Sequence, residues 1–256
     1  MTNVTRNVIA GLCAVALVGT VGVASAGTPN AEPDALQILK KMTDYLSGLE
    51  NFSMHTENTF EDVLDSGQKV QYNFASSVVI SRPNKLRAER MDGQENQVIV
   101  YDGEMLSIYE GSHDLYAEIS APDNLDDLLH FSRDVLDLVP PAGDMVFINA
   151  YELLSAGLTS GFVVGKAVIG GVMCTQLAFT TPVVDWQVWI ADGDKPLPVK
   201  YALTTRDDPA QPQYIALISN WNTDPLISAG IFEFKIPATA METEFVLFDV
   251  EYDSAD

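Results

Sequence analysis

Histidines, cysteines, serines and paired carboxylates do most protein chemistry, and in these 256 residues they are sparse or scattered. The three histidines, His55, His113 and His130, form no i, i+4 pair and have no cysteine at a ligand spacing. A zinc site needs such clustering, so the sequence predicts no metal and no cofactor. Gly157-Leu158-Thr159-Ser160-Gly161 holds a serine, but not in the order of a nucleophile elbow, and it leads into a strand pattern rather than a helix. Gly165-Lys166-Ala167-Val168-Ile169-Gly170-Gly171 lacks the Lys-Ser/Thr ending of a phosphate loop. Cys13 lies in an N-terminal apolar run, which leaves Cys174 without a disulfide partner and suited to a small buried position. Carboxylates are plentiful, but no spacing marks a glycosidase-like pair. No catalytic residue is assigned, and a hydrolase with dispersed acids is the weakest functional reading.

The charge balance narrows the partners. Thirty-six acidic residues against 14 basic ones give a net charge of −22. Such a surface repels nucleic acid and anionic membrane, so neither is expected as a standing partner.

What the sequence offers in place of reactive groups is apolar residues at strand spacing. Val70, Tyr72, Phe74, Val78 and Ile80 fall on one face of a long strand, Trp186, Val188 and Ile190 on one face of another, and Val199, Tyr201 and Leu203 on a third. Tyr72, Phe74, Val78, Trp186, Val188, Tyr201 and Leu203 are therefore expected to share one concave face and to bind an apolar ligand such as a lipid or acyl chain. Leu128 and Leu129 of an intervening helix are expected to close its mouth. A plain hydrophobic core explains the same pattern and competes with this reading.

Several elements must position that face. Leu36, Leu39, Met42, Tyr45, Leu46 and Leu49 recur at spacings of three and four, which predicts a helix from Pro33 to about Leu49. Period-two runs then predict strands from Phe52 to Phe60 and Val70 to Ile80, and near Leu86–Met91, Gln97–Tyr101, Met105–Tyr109 and Leu115–Ile119. Asp-Gly and Gly-Gly pairs between runs supply hairpin turns. Leu125, Leu128, Leu129 and Val135 predict a second helix, and Met145–Leu154 a third. Strands resume at Val163–Ile169, Val172–Thr180, Val184–Ala191, Val199–Arg206, Tyr214–Trp221 and Phe232–Lys235, with a further one in the tail from Ala240. Helices grouped rather than alternating with strands indicate an α+β fold with a curved antiparallel sheet.

The N-terminus reads as an export signal. Arg6 is followed by an apolar run from Val8 to Val23, then Ala24-Ser25-Ala26, a small-x-small cleavage site. At about 16 residues the run is shorter than the roughly 20 that span a bilayer. The expected product is a periplasmic protein cleaved after Ala26, with residues 27–256 as one domain and no stable membrane insertion.

Certain blocks are familiar. Pro33-Asp34-Ala35-Leu36-Gln37-Ile38-Leu39-Lys40-Lys41-Met42-Thr43-Asp44-Tyr45-Leu46 leads into Leu49-Glu50-Asn51-Phe52-Ser53; later come Asp185-Trp186-Gln187-Val188-Trp189-Ile190, Pro196-Leu197-Pro198 and Pro212-Gln213-Tyr214. Together they resemble an uncharacterised bacterial family of predicted periplasmic proteins. The element order also resembles the LolA and LolB lipoprotein carrier superfamily, which implies a half-open antiparallel barrel covered by helices, with an apolar cavity for acyl chains. In LolA-type carriers an arginine holds the lid; Arg133 lies in the inserted helical segment here, and no motif around it matches. The same fold implies a second possibility, an envelope-sensor or protein-interaction module with an exposed patch around Trp221 and an envelope protein as partner.

Overall fold

The computed structural model describes residues 30–93, 96–136, 143–228 and 230–245. A two-residue strand, β1 (Asn30–Ala31), precedes α1 (Pro33–Ser47). Pro33 stands in the first turn, where a missing N–H leaves no bond unmade, and Asp34 lies at the positive end of the helix dipole. Ala35, Leu39, Met42 and Leu46 are buried at spacings of three and four and form the face turned to the sheet.

A meander of six strands follows: β2 (Asn51–Val63), β3 (Lys69–Ser81), β4 (Lys85–Met91), β5 (Asn96–Tyr101), β6 (Met105–Glu110) and β7 (Leu115–Ser120). Then come α2 (Leu125–Asp134), a 3-10 turn at Gly143–Met145 and α3 (Ala150–Ser155). The Asn124 side chain caps α2 by accepting the Asp127 N–H at 2.9 Å. A second meander holds β8 (Ser160–Ile169), β9 (Val172–Thr180), β10 (Val184–Ala191), β11 (Pro198–Thr205) and β12 (Gln213–Asn222). Gly170 and Gly171, at φ 55° and 83°, make the tight β8–β9 turn that needs two left-handed residues. A short β13 (Met241–Glu242) closes the described chain.

These strands form one sheet in the order β1-β8-β9-β10-β11-β12-β2-β3-β4-β5-β6-β7-β13. The two meanders join through antiparallel pairing of β12 with β2, from Tyr214 opposite Phe60 to Asn222 opposite Ser53. All pairings are antiparallel except the two-residue contacts of β1 with β8 and β13 with β7. The first and last strands are not neighbours, so the sheet stays open. This is the expected α+β architecture, an open antiparallel sheet covered by helices.

Two expected elements differ. No helix runs from Met145 to Leu154; a 3-10 turn and an irregular stretch precede α3 at Ala150. The reason lies in the backbone partners. Val146 gives its carbonyl to Arg82 and Ile148 its N–H to the Asp126 carboxylate, so side chains replace the helical ladder there. Phe232–Lys235 is not a strand. It crosses the outer face of the first meander, where Phe232 is buried, Arg87 donates to the Ile231 carbonyl at 3.4 Å, and Phe234 lies against Tyr116. The tail does add a strand, but only Met241–Glu242.

Beneath the helices the inner face divides into two cores. One lies under α1 on β8–β12 and contains Leu39, Met42, Leu177, Phe179, Trp186, Val188, Tyr201, Leu203 and Ile218. The other lies under α2 on β2–β7 and contains Phe52, Ile80, Tyr101, Leu106, Ile108, Leu125, Leu128, Leu129 and Phe147. Leu49 and Trp221 pack against both.

Candidate functional site

Strand register arranges the inner face of the first meander in transverse rows, because residues opposite each other in an antiparallel pair point the same way. The first row runs Phe52, Ile80, Leu86, Tyr101, Leu106 and Ile119, and the second Met54, Val78, Ala88, Ile99, Ile108 and Ala117. Both are apolar. The third runs Thr56, Ser76, Arg90, Gln97 and Glu110, polar from β2 to β6, and ends in Leu115 on β7.

Above these rows lies a cavity of about 130 Å³. Its floor is Val78, Ile80, Leu86, Ala88, Ile99 and Ile108; Leu128, Leu129 and Ser132 of α2, with Gly143 and Val146, form its roof. Thr56, Ser76, Arg90 and Gln97 bring the polar row to its wall. A void of about 10 Å³ shares Met54, Thr56 and Val146 with it and extends toward Leu46 of α1. The volume is close to that of an apolar cavity of about 150 Å³ that stays dry and admits benzene. A short apolar group therefore fits as the protein stands, and a long acyl chain requires the roof to lift.

Polar tethers hold the roof. Arg82, on the β3–β4 turn, donates to the Leu49 carbonyl at 3.2 Å and to the Val146 carbonyl, with its guanidinium 5.8 Å from the centre of the Phe52 ring. Burial lowers the Arg82 pKa, and Asp126 opposes that shift. Arg133 of α2 pairs with Asp144 at 2.6 Å, and the Asp126 carboxylate accepts the Ile148 N–H at 3.2 Å. Below, the Tyr101 hydroxyl donates to the Pro122 carbonyl, and burial, followed by the charge of Asp123, pushes its pKa up to about 12.

All seven strand residues singled out from the sequence lie on the inner face, six of them in two registered rows and Val78 in a third. Tyr72 continues through Phe60, Tyr214 and Leu203 to Trp186, and Phe74 through Asn58, Ala216 and Tyr201 to Val188; Val78 stands in the second apolar row. What covers them differs. Phe74, Val78, Leu128 and Leu129 line the cavity. Trp186, Val188, Tyr201 and Leu203 do not: they are close-packed in the core beneath α1, with Phe179 stacked 4.3 Å from Trp186. Tyr72 lies beyond the reach of both helices, 45 % exposed and stacked on Phe60. Trp221 forms no exposed patch; it is half-buried between the two cores and donates to the Pro198 carbonyl at 2.9 Å.

Sequence reasoning missed Arg82, Arg90 and Gln97. The signal for the last two was present. Leu86-x-Ala88-x-Arg90 and Gln97-x-Ile99-x-Tyr101 each place one polar side chain on an otherwise apolar face. Arg82 left no such trace, because its partners are carbonyls distant in sequence.

A wider groove of about 1030 Å³, open to solvent, lies between Asn84, Asp102, Glu104 and Asp123 on one side and Phe232 and Glu233 on the other. Among the described residues, no three His, Cys, Asp or Glu side chains converge as a metal set, and no helix is long and apolar enough to cross a membrane.

Residues 35–246 match the family described as "Predicted periplasmic protein (DUF2092)". The chain belongs to this family. It is accordingly a periplasmic protein. No curated protein sequence matches it. Among solved structures it is similar to LprF from Mycobacterium bovis, at 13 % identity and a TM-score of 0.47, over 84 % of this chain and 100 % of that one. The lipoprotein LppX of Mycobacterium tuberculosis follows, at 18 % identity and a TM-score of 0.41, over 77 % and 98 % of the two chains. The MucA/MucB complex of Pseudomonas aeruginosa gives 15 % identity and a TM-score of 0.41, over 79 % and 61 %.

Proposed function

We propose that this periplasmic protein is a carrier or binding protein for an acyl chain or similar apolar ligand, held between β2–β7 and α2. One observation carries the reading: the inner face under α2 lines an apolar cavity of about 130 Å³, whereas the face under α1 is covered by a cluster of buried side chains. Burying apolar carbons supplies the binding energy at about 0.8 kcal/mol per CH₂. Phe74, Val78, Leu128 and Leu129, joined by Ile99 and Ile108, are the contact residues. Arg82 ties the roof to the sheet, while the Arg133–Asp144 and Asp126–Ile148 contacts join its two parts, and all three can release without breaking the sheet. The acidic surface assists departure of a loaded carrier from an anionic membrane.

The test is ligand-induced stabilisation, together with native mass spectrometry of protein taken from its own periplasm. A ligand that binds only the folded chain, at 100 times its dissociation constant, adds about 2.7 kcal/mol. For a domain of this size that raises Tm by roughly 5 to 11 °C. A Val78→Asp variant that remains folded by circular dichroism should lose the shift. If fatty acids, acylglycerols and phospholipids all leave Tm unchanged and native spectra show only bare protein, the reading is wrong.

A second reading, a protein-interaction module, is supported by the β8–β9 hairpin, which exposes Phe162, Val164, Val168, Val172 and Met173. It predicts that Phe162→Ser with Val168→Ser abolishes function in the cell while leaving ligand-induced shifts intact.

A further inference from the structure

The polar row beside the cavity says what kind of head the ligand carries, provided the carrier reading holds. Gln97 is only 8 % exposed, yet its Oε1 has no hydrogen-bond partner among the described residues. Among those residues it is the single buried side-chain nitrogen or oxygen left so. A buried acceptor without a donor is costly, so a donor supplied by a ligand or a water gains that hydrogen bond on reaching it. Gln97 lines the cavity, directly across from Arg90 on one side and Glu110 on the other.

Those neighbours set the charge of what can approach. Arg90 lies 4.2 Å from the centre of the Phe74 ring and already faces the Asp92 carboxylate at 3.6 Å. Glu110 is buried and accepts from the Ser112 N–H and hydroxyl and the His113 N–H, at 2.7 to 3.0 Å, with the His113 ring Nδ1 also at 2.8 Å, and these bonds favour its ionised form. An anionic head at Gln97 would meet Glu110 beside it, with the opposing Arg90 charge already matched by Asp92. A cationic head would meet Arg90. An uncharged head with a hydroxyl meets neither difficulty: it donates to Gln97 Oε1, while an ester oxygen of the same head can accept from Arg90.

We propose that the cavity takes a single-chain amphiphile with a neutral, hydroxyl-bearing head, the chemistry of a monoacylglycerol. Its chain lies across the row Met54, Val78, Ala88, Ile99 and Ile108, and its head hydroxyl donates to Gln97.

Isothermal titration of the full chain with four eight-carbon probes tests this: monooctanoylglycerol, methyl octanoate, octanoate and octylammonium. Monooctanoylglycerol is expected to bind about tenfold more tightly than the methyl ester, the difference one buried hydrogen bond supplies, and more tightly than either ion. Gln97→Leu should abolish the tenfold preference for monooctanoylglycerol over the methyl ester. Should Gln97→Leu misfold, Gln97→Met serves, and the four-probe ranking on the unaltered chain stands without any variant. Equal binding of the two esters, or tighter binding of octanoate or octylammonium, overturns the head assignment and leaves an acyl site. Failure of all four probes to bind, with longer chains also silent, overturns the carrier reading itself.

Discussion

The two halves of this sheet are built from the same materials and end differently. Under α1, β8–β12 present Phe179, Trp186, Val188, Tyr201, Leu203 and Tyr214, and the helix fills the space above them with Leu39, Met42 and Leu46. Under α2, β2–β7 present Ile80, Leu86, Ile99, Leu106 and Ile108, and a cavity remains. The helices explain much of the contrast. α1 has 15 residues and α2 has 10, and residues 143–149 form a 3-10 turn and irregular chain rather than a further turn of helix. The filled half has large aromatics on its floor, whereas the cavity floor is aliphatic and includes Ala88. A hollow in a protein interior forfeits dispersion contacts on every side that faces it, so it persists where something else compensates. Here that is read as a ligand.

The contrast can be broken by mutation. The largest effects are expected from truncation. Leu177→Ala, at a fully buried position of the filled half, should cost toward the upper end of roughly 2–5 kcal/mol; Leu129→Ala, which already borders empty space, should cost toward the lower end. Urea unfolding of both variants measures the difference, and equal costs would mean that the two halves are equally packed.

Enlargement reverses the comparison. Ala216 is fully buried in the filled half, and Ala216→Leu should lose about 1–3 kcal/mol through overpacking. Ala88→Leu fills the cavity instead, and the expected result lies between no change and a gain of about 2 kcal/mol, with loss of acyl binding. A destabilised Ala88→Leu would show that the hollow is not available space.

The tethers sharpen the comparison in time rather than energy alone. Arg82→Met leaves the Leu49 and Val146 carbonyls without their donor, which should cost about 1–3 kcal/mol. Hydrogen exchange should rise in residues 143–148 and α2 and stay unchanged in α1, and stopped-flow measurements should show faster ligand release. Uniform loosening of both halves would contradict the assignment of Arg82 to the roof.

The smallest effect is one of pH. Burial raises the Glu110 pKa, but the hydrogen bonds from Ser112 and His113 more than offset it, and the carboxyl is held below its ordinary value. A group whose folded pKa is depressed stabilises the protein above its unfolded pKa, about 4.3 for glutamate, and loses that contribution as pH falls through the folded value. The unaltered chain should therefore lose stability on acidification below about pH 4 more steeply than Glu110→Gln. The opening should begin around β5 and β6, as read by hydrogen exchange.

Much of the molecule was legible because strand and helix periods are local. Alternation marked Val78 and Ile80, and Trp186, Val188 and Tyr201, as inner-face residues, and register confirms that face for each. Arg90 and Gln97 interrupt the same alternation, a local signal that sequence reasoning passed over. The stretch Met145–Asn149 misled because its apolar residues suggested a helix, while the bonds that decide its path come from Arg82 and Asp126, about 64 and 22 positions away.

The sequence by itself determined which residues turn inward, where the chain reverses and how the surface is charged, since each depends on neighbours a few residues apart or on composition alone. Only the tertiary structure decided that β12 pairs with β2, that α1 seals Trp186, Val188, Tyr201 and Leu203 into solid core, and that α2 leaves Phe74, Val78 and Gln97 facing a hollow. Whether an apolar face becomes core or cavity depends on the volume of what is laid over it. That volume is set by contacts between segments far apart in the chain, which no local period encodes.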